Sequence, residues 1–198
     1  MFENIIKNVH NRHPLIHCIT NYVSINDCAN IVLACGGAPI MAEDINEVSQ
    51  ITSICQGLDI NIGMLNDNKL SSMLKAGATA NELGIPVILD PVGAGSSDYR
   101  IKAVQNLMSN VQFGVIRGNV SEIKAIAAKQ GIHNIAAGVY ETMQKNKSAM
   151  GVEAGIADKI TDDNIKEMAD FINKLSQKTG AVIAVTGRID MVADENRV

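Results

Sequence analysis

The chain has 198 residues, 46% of them hydrophobic and 19% charged, and a formal net charge of −4. That is enough chain for one sizeable core in a single domain over residues 1–198, and it excludes a disordered polypeptide. The acidic balance and the 3% aromatic content argue against a nucleic-acid surface, and no apolar run is long enough to span a membrane.

The start, Met1-Phe2-Glu3-Asn4, lacks the basic and apolar stretches of a secretory leader, so a cytoplasmic, reducing setting is expected. Cys18, Cys28, Cys35 and Cys55 form no Cys-x-x-Cys pair and have no histidine at zinc-finger spacing. They read as small buried thiols.

In chain order, residues 2 to 10 suggest a first helix, and Leu15 to Thr20 a strand that ends at Thr20-Asn21. Ser24 with Asp27 marks a helix start, with Ile25, Cys28, Ala29, Val32 and Cys35 as its apolar face. Ala38 to Met41 is a short extended piece, and a helix follows over about Asn46 to Gln56. Leu58 to Ile62 is the next strand, closed by Gly63, and Asp67 opens a helix that ends at Gly84.

Val87-Ile88-Leu89 lies between Pro86 and Pro91 and reads as a strand buried on both faces. It empties at Asp90 into a loop with Gly93, Gly95, Ser96 and Ser97. A helix over Ile101 to Ser109 leads to the strand Val115-Ile116, which ends in Arg117-Gly118-Asn119. Asn119 and Glu122 make a capping box for the next helix. Residues 132 to 160 read as an irregular excursion with room for one short helix. Thr161 or Asp162 caps an amphipathic helix through Leu175, Gly180 stops it, and Ala181 to Val185 is a buried strand ending at Thr186-Gly187.

Strand and helix alternate, and the strands are too apolar to face water. An α/β fold follows, with a mostly parallel sheet and helices on both faces. In a parallel sheet the polar strand ends share one edge: Thr20 and Asn21, Asn61 and Gly63, Asp90 with the Gly93 loop, Arg117 with Asn119, and Thr186 with Gly187.

Arg117 is a cation just before a helix N-terminus, which suits a phosphate or an ordinary ion pair with a nearby acid. Asp90 and Glu122 suit a hydrated magnesium, which takes one or two carboxylates beside phosphate oxygens, although turn and cap roles compete. The Gly93 loop is neither a P-loop nor a dinucleotide fingerprint. Thr186 offers a hydroxyl to a phosphate or serves a turn. His17 and Cys18 are adjacent in one strand and face opposite ways, so His17 reads as structural or as a support behind the site. Met41 reads as packing or as a contact for an apolar ligand.

Pro14-Leu15-Ile16-His17-Cys18-Ile19-Thr20-Asn21-Tyr22-Val23 resembles the N-terminal signature of hydroxyethylthiazole kinases. So do Ala38-Pro39-Ile40-Met41-Ala42, Asn61-Ile62-Gly63, Asp90-Pro91-Val92-Gly93-Ala94-Gly95, Ile116-Arg117-Gly118-Asn119 and Val185-Thr186-Gly187, in the family's order.

The resemblance implies a ribokinase-like fold, a homotrimer, and ATP-dependent phosphorylation of 4-methyl-5-(2-hydroxyethyl)thiazole in thiamine salvage. By the family pattern Asn21, Met41 and Gly63 line the thiazole site, Arg117 and Thr186 contact ATP, and Asp90 and Glu122 lie near Mg2+. A later Gly-rich segment, which carries the family's anion hole and candidate base, is not met before Val198. Together with the turn signal Asp194-Glu195-Asn196 this implies a missing C-terminal portion and a chain inactive or nearly so by itself. A non-catalytic thiazole- or nucleotide-binding descendant and a kinase for a related vitamin precursor are the alternatives.

Overall fold

Alternating buried strands and amphipathic helices dictate the architecture found in the computed structural model, which describes residues 2–129 and 160–198. The predicted excursion over 132 to 160 lies outside the described residues except for Ile160, which is buried. The order is α1 (Phe2–Arg12), β1 (Leu15–Ile19), α2 (Ile25–Ala34), β2 (Ala38–Ile40), α3 (Val48–Ser53), β3 (Gly57–Asn61), α4 (Asp67–Glu82) and β4 (Val87–Asp90). It continues through α5 (Asp98–Asn110), β5 (Val115–Asn119) and α6 (Val120–Lys129), then α7 (Ile165–Thr179), β6 (Val182–Thr186) and β7 (Met191–Ala193). The strands make a seven-stranded, mostly parallel sheet, as the α/β reading expects.

The chain divides into two compact units, Met1–Leu89 with Asn110–Gln112, and Asp90–Ser109 with Phe113–Val198. In the first, β1 pairs in parallel with β2 and with β3, placing Ile19 opposite Ile60. Ile19, Leu58, Ile60, Ile62 and Met73 are buried there. Gly77 lets α4 approach Val111 so closely that a Cβ would lie 2.5 Å from Val111 Cγ2. Asn81 closes the same contact, donating to Gln112 O at 2.9 Å and accepting Gln112 N–H at 2.7 Å. In the second unit β5 and β6 are parallel, β7 returns antiparallel to β6, and Ile116, Ile123, Phe171, Ile172 and Ile183 form the core.

Several expectations are corrected. The apolar face expected on α2 is only partly covered: Ile25, Cys28, Ala29 and Val32 are half-buried and none is fully buried, because amphipathic spacing defines a face but not how fully other residues cover it. Cys18 and Cys55 are buried, but Cys28 is only half-buried and Cys35, at the helix C-cap beyond the last packed turn, is exposed. β4 is not sealed on both faces, since Ile88 is 41% exposed. α3 is six residues rather than eleven. Neither Thr161 nor Asp162 is the cap of α7; Asn164 holds that position, and its Oδ1 accepts the Thr161 N–H.

Candidate functional site

Two polar clusters stand at strand ends, one in each unit. In the first unit β1 ends at Ile19, and Thr20 and Asn21 leave the sheet beside the end of β3. Asn21 Nδ2 donates to Asn61 Oδ1 at 3.3 Å, and the same Oδ1 accepts the Gly63 N–H at 2.8 Å. Asn21 Oδ1 accepts from the Ser24 N–H and hydroxyl, both at 3.0 Å, so Asn21 rather than Ser24 secures the entry to α2. A Cβ on Gly63 would lie 2.9 Å from Asn61 Oδ1 and 3.0 Å from Asn21 Nδ2, which explains glycine here by close approach. Asn21 and Gly63, predicted from separate strand ends, are therefore brought together through Asn61.

Met41 follows β2 and is half-buried. The next residue, Ala42, is tied down by His17, whose Nε2 donates to Ala42 O at 2.8 Å while Nδ1 accepts the Thr52 hydroxyl at 2.9 Å. His17 is fully buried, and burial lowers its pKa against the opposing pull of the Ala42 carbonyl and the Glu47 charge. This is the structural role its strand position implied. Burial also pushes the Cys18 thiol up to about 12, aided by the Asp59 charge, so it is no nucleophile.

Lys69, which pattern reading passed over, is 3% exposed. Its ammonium donates to Thr20 O, lies 2.9 Å from Glu43 Oε2, and sits 4.5 Å from the centroid of the Tyr22 ring. Tyr22 OH donates to the other oxygen of Glu43. The one local signal was its position, a cation at the third residue of α4 directly after the Asn66 cap.

In the second unit Asp90 ends β4 and Arg117 lies near the end of β5. Arg117 Nη1 is 3.5 Å from Asp90 Oδ2; the arginine is half exposed and the aspartate 20% exposed. Both oxygens of Glu122 accept backbone N–H groups, Oε1 from Gly93 at 2.9 Å and Oε2 from Asn119 at 2.8 Å. Asn119 Oδ1 returns a bond to Glu122 N–H at 3.0 Å, completing the predicted capping box. The box thus also fastens the Gly93 loop to the start of α6. Gly93 has φ +66°, a left-handed conformation that glycine adopts without strain, and Ser96 Oγ closes the turn onto Gly93 O at 2.8 Å. Thr186 stands opposite Asn119 in the β5–β6 register, its hydroxyl 3.5 Å from Gly118 O.

Asp90 and Glu122 present two carboxylates, the number a phosphate-bridged, hydrated magnesium uses. Each Glu122 oxygen keeps a second lone pair beyond its backbone bond. Carboxylate oxygens are the donor type that a hard, oxygen-seeking cation takes. Among the described residues no group of three or more His, Cys, Asp or Glu gathers for a tighter cage.

Residues 6–198 match the hydroxyethylthiazole kinase family. The chain is 52% identical over 197 residues to the hydroxyethylthiazole kinase of Clostridium acetobutylicum, covering all of this chain and 66% of that protein. It is 45% identical to the Desulfovibrio desulfuricans hydroxyethylthiazole kinase, over 98% of this chain and 62% of the relative. The solved hydroxyethylthiazole kinase structure from Pyrococcus horikoshii OT3 is similar with a TM-score of 0.78 and 30% identity, covering 98% of this chain and 63% of that one. The chain spans slightly less than two thirds of the length of these relatives.

Proposed function

The chain belongs to the hydroxyethylthiazole kinase family, and from that premise we propose that its protein phosphorylates the hydroxyl of 4-methyl-5-(2-hydroxyethyl)thiazole with ATP, in thiamine salvage. The observation that carries this reading is the Glu122 clamp. It joins the Gly93 loop to the start of α6, beside the strand ends that hold Asp90 and Arg117. A cation, two carboxylates and a glycine turn at strand ends are the equipment of a site for phosphate and metal.

In this proposal Arg117 and Thr186 contact ATP, with the guanidinium turning from its loose 3.5 Å contact with Asp90 to the phosphates. Asp90 and Glu122 hold Mg2+, which when bound neutralises charge on the phosphates. Asn21, Met41 and Gly63 receive the thiazole, with Asn61 fixing the Asn21 amide and His17 fixing the loop after Met41.

We assign the protein a homotrimer. Supporting this, no residue of α2 is fully buried in the single chain, and Val23, 90% exposed, Ile31 and Leu33 each leave an apolar side chain open to solvent. The four cysteines are free, which suits the reducing cytoplasm. No helix among the described residues is long and apolar enough to cross a membrane.

Calorimetry with the thiazole alcohol and with Mg–ATP, followed by a turnover assay, tests the proposal. Binding of both ligands and formation of the thiazole phosphate are expected. A folded protein that binds ATP and ignores the thiazole alcohol would overturn the substrate assignment.

A further inference from the structure

Lys69 is a cation in the wrong place by local rules. It occupies the first turn of α4, where the helix dipole disfavours positive charge, and it is 3% exposed, where an ammonium loses its hydration. Its surroundings offset this. Two of its three N–H donors meet Thr20 O and Glu43 Oε2, and the Tyr22 ring face lies against the charge. Tyr22 OH and Lys69 share Glu43 between them, so the network closes on itself.

The consequence is positional. Thr20 and Tyr22 flank Asn21, and Lys69 touches both. Held on either side, Asn21 is left to direct its amide at Asn61 and its carbonyl at Ser24. Glu43 lies two residues beyond Met41, in the segment that His17 also anchors at Ala42. One buried ammonium therefore joins the segment carrying Asn21 to the segment carrying Met41.

We propose that Lys69 is a positioning residue for the thiazole alcohol: it locks Thr20–Tyr22 to Met41–Glu43 so that Asn21 and Met41 meet the substrate in one fixed arrangement. The proposal rests on the thiazole reading of Asn21, Met41 and Gly63. Lys69 acts through these segments and has no part in phosphoryl transfer.

The test compares the whole protein with Lys69→Met, which keeps most of the stem and removes the charge, and with Glu43→Gln and Tyr22→Phe. The last two alter side chains at the surface end of the network and guard against a Lys69 variant that fails to fold. Amide hydrogen exchange is read at residues 20–23 and 41–43, and calorimetry is run with the thiazole alcohol and, separately, with Mg–ATP. Expected are faster exchange at both segments and thiazole binding weakened by about tenfold or more, with ATP binding unchanged.

Unchanged exchange in all three variants overturns the latch. Faster exchange with unchanged thiazole affinity, or equal loss for both ligands, overturns its role in positioning substrate. If the unaltered protein binds ATP but not the thiazole alcohol, the thiazole reading itself fails, and the substrate role of Lys69 with it.

Discussion

Glu122 and Asn119 cap each other: Glu122 Oε2 accepts the Asn119 N–H at 2.8 Å, and Asn119 Oδ1 accepts the Glu122 N–H at 3.0 Å. The second carboxylate oxygen reaches the Gly93 N–H at 2.9 Å. One side chain therefore both starts α6 and shapes the glycine loop.

Removing that side chain leaves two backbone donors without their acceptor. Glu122→Ala is expected to cost about 2 kcal/mol of stability, measured by urea unfolding. Gly118→Ala reaches the same clamp from behind, since its Cβ would lie 3.0 Å from Glu122 Oε2 and 3.2 Å from Glu122 Cβ. It should reduce Mg–ATP affinity by displacing the carboxylate; an alanine variant with unaltered affinity would show that the clamp's position is immaterial to the nucleotide.

At Gly63 a methyl group would crowd Asn61 Oδ1 and Asn21 Nδ2 together. Gly63→Ala should therefore weaken thiazole binding by about tenfold or more while lowering stability by only about 1 kcal/mol. Calorimetry against a thermal melt separates the two effects. A large loss of stability with no change in affinity would assign Gly63 to packing alone.

Gly77 makes a sign prediction. Glycine inside a helix is about 1 kcal/mol less favourable than alanine, so Gly77→Ala ought to stabilise an uncrowded helix. Here the added Cβ would meet Val111 Cγ2 at 2.5 Å and Cγ1 at 2.8 Å. The clash decides, and a loss of about 1 to 3 kcal/mol is expected. In a Val111→Ala background the clash is relieved, so the same change should become neutral or favourable, which paired denaturant titrations would reveal.

His17 couples stability to pH. Burial, the larger effect, lowers its pKa below the ordinary 6.5 despite the Ala42 carbonyl and the Glu47 charge. The unfolded chain then takes up this proton more readily than the folded one, so the contribution is intact above pH 6.5 and declines as pH falls below it, through the folded-state pKa. Replacement by Gln, which retains hydrogen-bonding groups and does not titrate, should remove that part of the slope. Urea midpoints at pH 7.5 and pH 5.5 test it, and a slope identical in both proteins would refute the assignment.

Much of the fold was legible because buried parallel strands are short apolar runs with conspicuous ends. Val87-Ile88-Leu89 before Asp90, and Ala181 to Val185 before Thr186, needed no tertiary information to be found, although the second strand starts at Val182. The capping box at Asn119 and Glu122 was legible for a related reason, since its partners are three residues apart and meet in any helix start. Spacing also defined an apolar face on α2. It could not say that this chain would leave that face only half-covered, because cover is supplied by residues distant in sequence.

By itself, then, the sequence determined the alternation of elements, the polar strand ends and the local caps, which depend on periodicity and on neighbours a few residues apart. Tertiary structure decided the pairings. It set Asn21 against Asn61, 40 residues away, carried the reach of Glu122 to Gly93 across 29, and buried Lys69 against Thr20 across 49. A lysine at the start of a helix reads from its neighbours as a solvated charge. Only the return of the chain brings a carbonyl, a carboxylate and a ring face around it, and those long-range partners turn a surface residue into the fastening of a site.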